Sequence, residues 1–188
     1  NSVYSGIYLN DKHGVTIRNC NTYTFKNGIS LTAGSSYNIL IDNNPTWNDV
    51  GIHLRNSQYN QIINNQMMYN DVGILLSDSA RYNTLRGNTI EDPEAADNDS
   101  TVGLELFSTA RYNTFINNRV CGNENGDIVN WIGVGGTPSL SESEGYVNSF
   151  DFIIQEGTDT WPAYGEDYCG CDEPIGCVEH LTIEQITT

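Results

Sequence analysis

The chain has 188 residues, with eight Lys and Arg against 24 Asp and Glu, and a formal net charge of −16. That balance leaves too few cations to neutralise a row of phosphates, so nucleic acid and anionic membrane surfaces are poor partners. No apolar run reaches the ~18 residues of a membrane-spanning helix, so no membrane insertion is expected. Asn occurs 24 times and Gly 18 times, while charged residues make up only 17%. Asn and Gly accommodate tight corners and left-handed backbone, and Tyr, Ile and Thr suit strands. The composition therefore predicts an all-β fold with many corners. The chain starts at Asn1 without Met or a signal sequence, which reads as a mature product or an excised piece.

The first elements announce a repeat. Gly followed by an apolar residue occurs at Gly6, Gly28, Gly51, Gly73 and Gly103, with gaps of 22, 23, 22 and 30. Each Gly opens an alternating pair: Ile7/Leu9, Ile29/Leu31, Ile52/Leu54, Ile74/Leu76 and Leu104/Leu106. Alternation puts both residues of a pair on one face of a short strand. A Tyr-Asn marker follows at Tyr37-Asn38, Tyr59-Asn60, Tyr82-Asn83 and Tyr112-Asn113, with Gly14-Val15 in its place in the first copy. A second apolar position comes next (Ile17, Leu40, Ile62, Leu85, Phe115), then Cys20, Asn43, Asn65, Asn88 and Asn118. Met67, Ile90 and Val120 mark a third apolar segment.

Three short strands every 22 or 23 residues fit one coil of a parallel β-solenoid, with five to six coils predicted. A propeller blade needs about 40 residues, and a sandwich has no reason to repeat side-chain identity. Equivalent residues then lie about 4.8 Å apart in columns. Gly28, Gly51, Gly73 and Gly103 are predicted to form one such column. Asn43, Asn65, Asn88 and Asn118 form a second, and Asn48, Asn70 and Asn123 a third. Buried amides need partners, and a column supplies the same partner at every level. The Tyr column is assigned to neither the inside nor the outside.

The 30-residue gap is an ordinary coil with about seven extra residues inside Thr89–Val102. A surface corner tolerates such growth at little entropic cost. Past Gly126 the register loosens. Asp127-Ile128-Val129 reads as a sixth coil, and Tyr146–Phe150 returns the Tyr-Asn marker with Phe150 in the core position. The predicted organisation is a solenoid over 1–155, with insertions at 89–102 and 131–145. A cysteine-containing tail, 156–188, caps the end, with a last strand over Leu181–Ile186.

The repeats Gly51–Asn65, Gly73–Ser77 with Tyr82–Asn88, and Tyr112–Asn118 resemble the parallel β-helix repeat of NosD-like and carbohydrate-associated proteins. The resemblance covers roughly residues 3–130, with a weaker return at 146–154. It implies a right-handed β-helix and an exported protein, extracellular or on the cell surface. NosD itself is tied to copper delivery. The two Met and three His here stand in separate contexts and match no copper site.

The candidate binding face lies two and four residues after each Gly: Tyr8/Asn10, Ser30/Thr32, His53/Arg55, Leu75/Ser77 and Glu105/Phe107. Glycosidase chemistry wants two carboxylates at a matched separation, and Glu105 is the only one on this stripe. Tyr8, His53, Arg55, Glu105 and Phe107 are therefore candidates for binding, and no catalytic residue is assigned. The acidic insertion, with Glu91, Asp92, Glu94, Asp97 and Asp99, offers oxygen ligands for Ca²⁺, or else is a solvated loop. In the tail, Cys169, Cys171 and Cys177, with Cys121, read as disulfides first. Cys169, Cys171, Cys177 and His180 as a zinc site come second. Cys20 stands in an Asn column as a free thiol.

The leading functional expectation is an exported structural or surface-interaction module without catalytic activity. It would associate end to end as a homo-oligomer or filament, or continue the solenoid of a longer parent. The alternatives are a polysaccharide lyase or hydrolase and a carbohydrate-binding module.

Overall fold

The structure is a computed structural model and describes residues 4–92, 101–107, 109–121, 123, 128–131, 149–155 and 177–182. For residue 121 and those from 128 onward only the backbone is described. The first coil consists of β1 (Ser5–Asn10), β2 (Thr16–Arg18) and β3 (Asn21–Tyr23). The second has β4 (Asn27–Thr32), β5 (Ile39–Ile41) and β6 (Asn44–Thr46). The third has β7 (Val50–Arg55), β8 (Gln61–Ile63) and β9 (Gln66–Met68). The fourth has β10 (Val72–Ser77), β11 (Thr84–Arg86) and β12 (Thr89–Glu91). In the fifth, β13 (Val102–Phe107) leads to β14 (Thr114–Cys121), where the second and third strands run together. β15 (Ile128–Trp131) follows, then β16 (Ser149–Gln155) and β17 (Cys177–Thr182).

Corresponding strands pair in parallel and in the register of the repeat. One sheet runs β1-β4-β7-β10-β13-β15. Ile29, Ile52, Ile74 and Leu104 are register partners along it, as are Leu31, Leu54, Leu76 and Leu106. Ile17, Leu40, Ile62, Leu85 and Phe115 form the matching column on β2, β5, β8, β11 and β14. These columns fill the lumen: Ile29, Leu31, Leu40, Ile52, Leu54, Ile62, Met67, Ile74 and Leu76 are fully buried.

The fold is the expected parallel β-solenoid, with about four turns where five to six coils were predicted. Three separate strands per coil persist only through the fourth coil. The extra residues of the insertion follow an intact β12, which still pairs with β9. Phe150 is the register partner of Phe115. Among the described residues the final strand, β17, takes in Leu181 and Thr182 of the predicted one and pairs antiparallel with β16; residues 183–186 lie outside the described residues.

Left-handed residues turn the corners. Positive φ recurs at matching positions: Ala33, Asn56 and Asp78; Tyr37, Tyr59, Tyr82 and Tyr112; Asp42, Asn64 and Asn117; and Thr24, Trp47 and Tyr69. The glycine column has a different cause. A methyl carbon on Gly51 would lie 2.6 Å from the Gly73 carbonyl oxygen and 2.9 Å from Met67. Coils approach too closely there for any side chain.

Candidate functional site

On its outer face the first sheet carries two columns of side chains. Tyr8, Ser30, His53, Leu75 and Glu105 are register partners in one. Asn10, Thr32, Arg55, Ser77 and Phe107 follow in the other. A cleft of about 650 Å³ runs along this face, with Tyr8 and Asn10 from the first coil and Thr32 from the second. Arg55 and Asn56 come from the third, Asp78 and Ser79 from the fourth, and Thr109 from the fifth. A second hollow of about 590 Å³ shares Tyr8, Thr32 and Arg55 and adds Lys26, Ser30 and His53.

Hydrogen bonds fix these side chains. Arg55 Nε donates to Asp78 Oδ2 at 2.6 Å. The Thr32 hydroxyl donates to the Tyr8 phenol oxygen at 3.1 Å. His53 Nε2 lies 2.9 Å from Ser77 Oγ. Burial, then the positive charges of Arg55 and Lys26, outweigh Asp78 and bring the His53 pKa down from 6.5 to about 4. His53 is therefore neutral at pH 7 and acts as a hydrogen-bonding wall of the groove. Ser30 and Ser77 are buried, so part of this face is closed over. Tyr8 and Phe107 remain 59% and 49% exposed.

Of the five candidate binding residues, Tyr8, His53 and Arg55 line the clefts. Glu105 and Phe107 stand further along the same sheet. Among the acidic candidates, Glu91 forms an ion pair with Arg119. Asp92 is buried, and Glu94, Asp97 and Asp99 lie outside the described residues. Cys20 is free. Cys121, Cys177 and His180 are placed by backbone alone, and Cys169 and Cys171 lie outside the described residues.

Asn43, Asn65, Asn88 and Asn118 join in one chain of amides. Each Nδ2 donates to the next Oδ1, at 2.9, 3.0 and 2.8 Å. Asn48 and Asn70 are joined likewise at 3.1 Å, and Asn123 is buried. A third ladder, Asn38-Asn60-Asn83-Asn113, repeats at 3.0 Å. In the sequence these four Asn are legible only as markers of the repeat. Their invariant place after Tyr was the signal of a buried ladder.

The preceding tyrosines form a ribbon on the outside. Tyr37, Tyr59, Tyr82 and Tyr112 stack with centroids 5.1–5.2 Å apart and planes within 8° of parallel. Arg81 and Arg111 lie over Tyr82 and Tyr112. Left-handed backbone costs a Tyr about 1–2 kcal/mol. A ring pair contributes about 0.5–1.5 kcal/mol, so stacking roughly offsets the strain of the corner. On another corner Trp47 and Tyr69 stack at 4.6 Å.

Fold and ladders together define a parallel β-solenoid protein with an open groove along one sheet. The chain belongs to the NosD family: the family model described as "Periplasmic copper-binding protein (NosD)" matches residues 1–131. No curated protein and no solved structure gives a significant match.

Proposed function

We propose that the chain is an exported, non-catalytic recognition module that lays an extended polysaccharide along its first sheet. The observation that carries this reading is the shape of the groove. Its lining comes from five successive coils, so it is elongated along the axis by about 19 Å, four coil spacings. Such a length suits a polymer better than a compact metabolite. The exposed Tyr8 ring suits the apolar face of a sugar, while Asn10, Thr32, Arg55, Asn56 and Asp78 suit its hydroxyls. Among the described residues the only carboxylate in the lining, Asp78, is engaged by Arg55, and these residues offer no acid and base pair for glycosidic cleavage.

The family description, that of a periplasmic protein, supports export. Its copper is not extended to this chain. Among the described residues no three His, Cys, Asp or Glu side chains come together. Met67 is buried in the core, and Met68 Sδ accepts a hydrogen bond from Gln66.

Affinity electrophoresis through gels carrying neutral or acidic polysaccharides tests the reading. At least one polymer should retard the protein, and Tyr8→Ala with Arg55→Ala should restore free migration. Free migration in every gel would overturn it, and release of shorter sugars would convert it to an enzyme.

A further inference from the structure

The tyrosine ribbon is a column of five positions with four rings. Gly14 is the first-coil member, because His13 bridges to Ser36 and the Gly14 N–H donates to the Ser36 carbonyl. Gly14 has φ +67°, close to the 54–57° of the tyrosines above it, and a Cβ placed there would meet nothing within 4 Å. The column therefore has the backbone of a fifth rung and no ring on it. Tyr59 and Tyr82 each stack against a ring on both faces. Tyr37 stacks only against Tyr59 among the described residues and is 64% exposed, against 41–42% for the other three. Gly14 puts no side chain against the Tyr37 ring face turned towards it.

We propose that the space above Gly14 is a binding site for one hexopyranose ring, which completes the stack against Tyr37. An aromatic face attracts the C–H groups of a pyranose, whose hydroxyls project from its rim. The turn before Gly14 supplies polar groups of both kinds for that rim. Lys12 is exposed and cationic, and Asp11 is exposed and acidic. His13 reaches Ser36 Oγ with Nδ1 at 2.7 Å and lies 3.4 Å from Asp11 with Nε2. A plain aromatic guest would leave these groups unused. Tyr59 and Tyr82 carry rings on both faces, and Tyr112 is no more exposed than they are, so the Tyr37 end is where a ring can be added. The choice of a sugar rests on the polysaccharide reading; the location rests on the ladder alone.

The test uses methyl hexopyranosides, too short to span the groove, with phenol as the competing probe. The protein is labelled with 3-fluorotyrosine, and Tyr37→Phe assigns the Tyr37 signal. A methyl hexopyranoside should shift that signal saturably. Tyr37→Ala should abolish sugar binding. Gly14→Tyr, which fills the rung on a backbone already left-handed, should weaken it at least tenfold while far-ultraviolet circular dichroism stays native. An unmoved Tyr37 signal overturns the site, as does binding that survives Gly14→Tyr. A response to phenol alone overturns the sugar assignment. Polysaccharide retention without a Tyr37 response sinks this site and leaves the groove. A Tyr37 response without retention does the reverse.

Discussion

The first coil and the coils stacked on it share a backbone but differ at three positions of the amide ladders. Inner coils place Asn38, Asn43 and Asn48, and their counterparts, where the first coil has Val15, Cys20 and Phe25. Each of these three donates its N–H to the amide oxygen above it, on Asn38, Asn43 and Asn48, at 2.9–3.1 Å. Each of those Asn reaches back with Nδ2 to a first-coil carbonyl: Lys12, Ile17 and Thr22. The ladder is thus directional. An amide ties its coil to the one before it, and the first coil has no such amide at these positions. Burial of polar corners depends on a repeated partner, and at these three positions the amide ladder starts at the second coil.

The sharpest way to break this difference is Asn60→Val. Asn60 accepts from the backbone and side chain of Asn38, and its Nδ2 donates to Ser35 and Asn83. Valine satisfies none of these. Two or three orphaned buried groups at about 1–3 kcal/mol each give an expected loss of about 3–6 kcal/mol in urea unfolding. A loss below 1 kcal/mol would mean that the ladder is decorative.

Next comes acid. His53 sits in the third coil with its pKa lowered to about 4, whereas an unfolded histidine titrates near 6.5. Between those values the unfolded chain binds a proton that the native state rejects, so native stability rises with pH across that window. The contribution is complete above pH 6.5 and is lost as the pH falls towards 4, on the order of 3 kcal/mol in all. His53→Gln should flatten the slope between pH 4 and 6.5 in thermal unfolding. An unchanged slope would place the proton elsewhere.

Gly51→Ala should cost about 2–3 kcal/mol, because its methyl meets a backbone carbonyl that cannot rotate away. Gly14→Ala meets open space and should cost no more than the ~1–2 kcal/mol of left-handed strain. Equal effects at the two glycines, read by the same urea titration, would erase the distinction between close approach and turn.

The columns were legible because a solenoid converts sequence period directly into spatial neighbours. Ile52 and Ile74, 22 apart, are register partners, and so are Leu54 and Leu76. The groove was legible only in part. Tyr8, His53 and Arg55 stood on the predicted outer stripe, but Asp78, Asn56 and Thr109 lie at the neighbouring corner. Strand alternation says nothing about how far a corner side chain leans back over the sheet. The tyrosine ribbon was visible as a column but not as an exterior one. Left-handed φ at Tyr is uncommon, so apolar character alone pointed as readily inward.

The smallest expected effect is Val15→Asn, and it asks whether the first coil ends the ladder by rule or by accident. Val15 is half-buried, and its N–H already satisfies Asn38. An amide at this position would find no coil before it among the described residues, and its Nδ2 would be solvated. The monomer should change by less than ~1 kcal/mol, far below the reverse exchange at Asn60. The same substitution tests end-to-end stacking. A second copy set against β1, β2 and β3 would bring carbonyl groups to the place where a preceding coil would stand, and an Asn at 15 could donate to them. Added to Cys20→Asn, it should then raise self-association in sedimentation velocity at high salt, where the charge of −16 per chain is screened. If stacking occurs, a double variant with two backward-reaching amides should associate more tightly than the parent chain. If both proteins sediment as monomers up to millimolar concentration, end-to-end assembly through the first coil is ruled out.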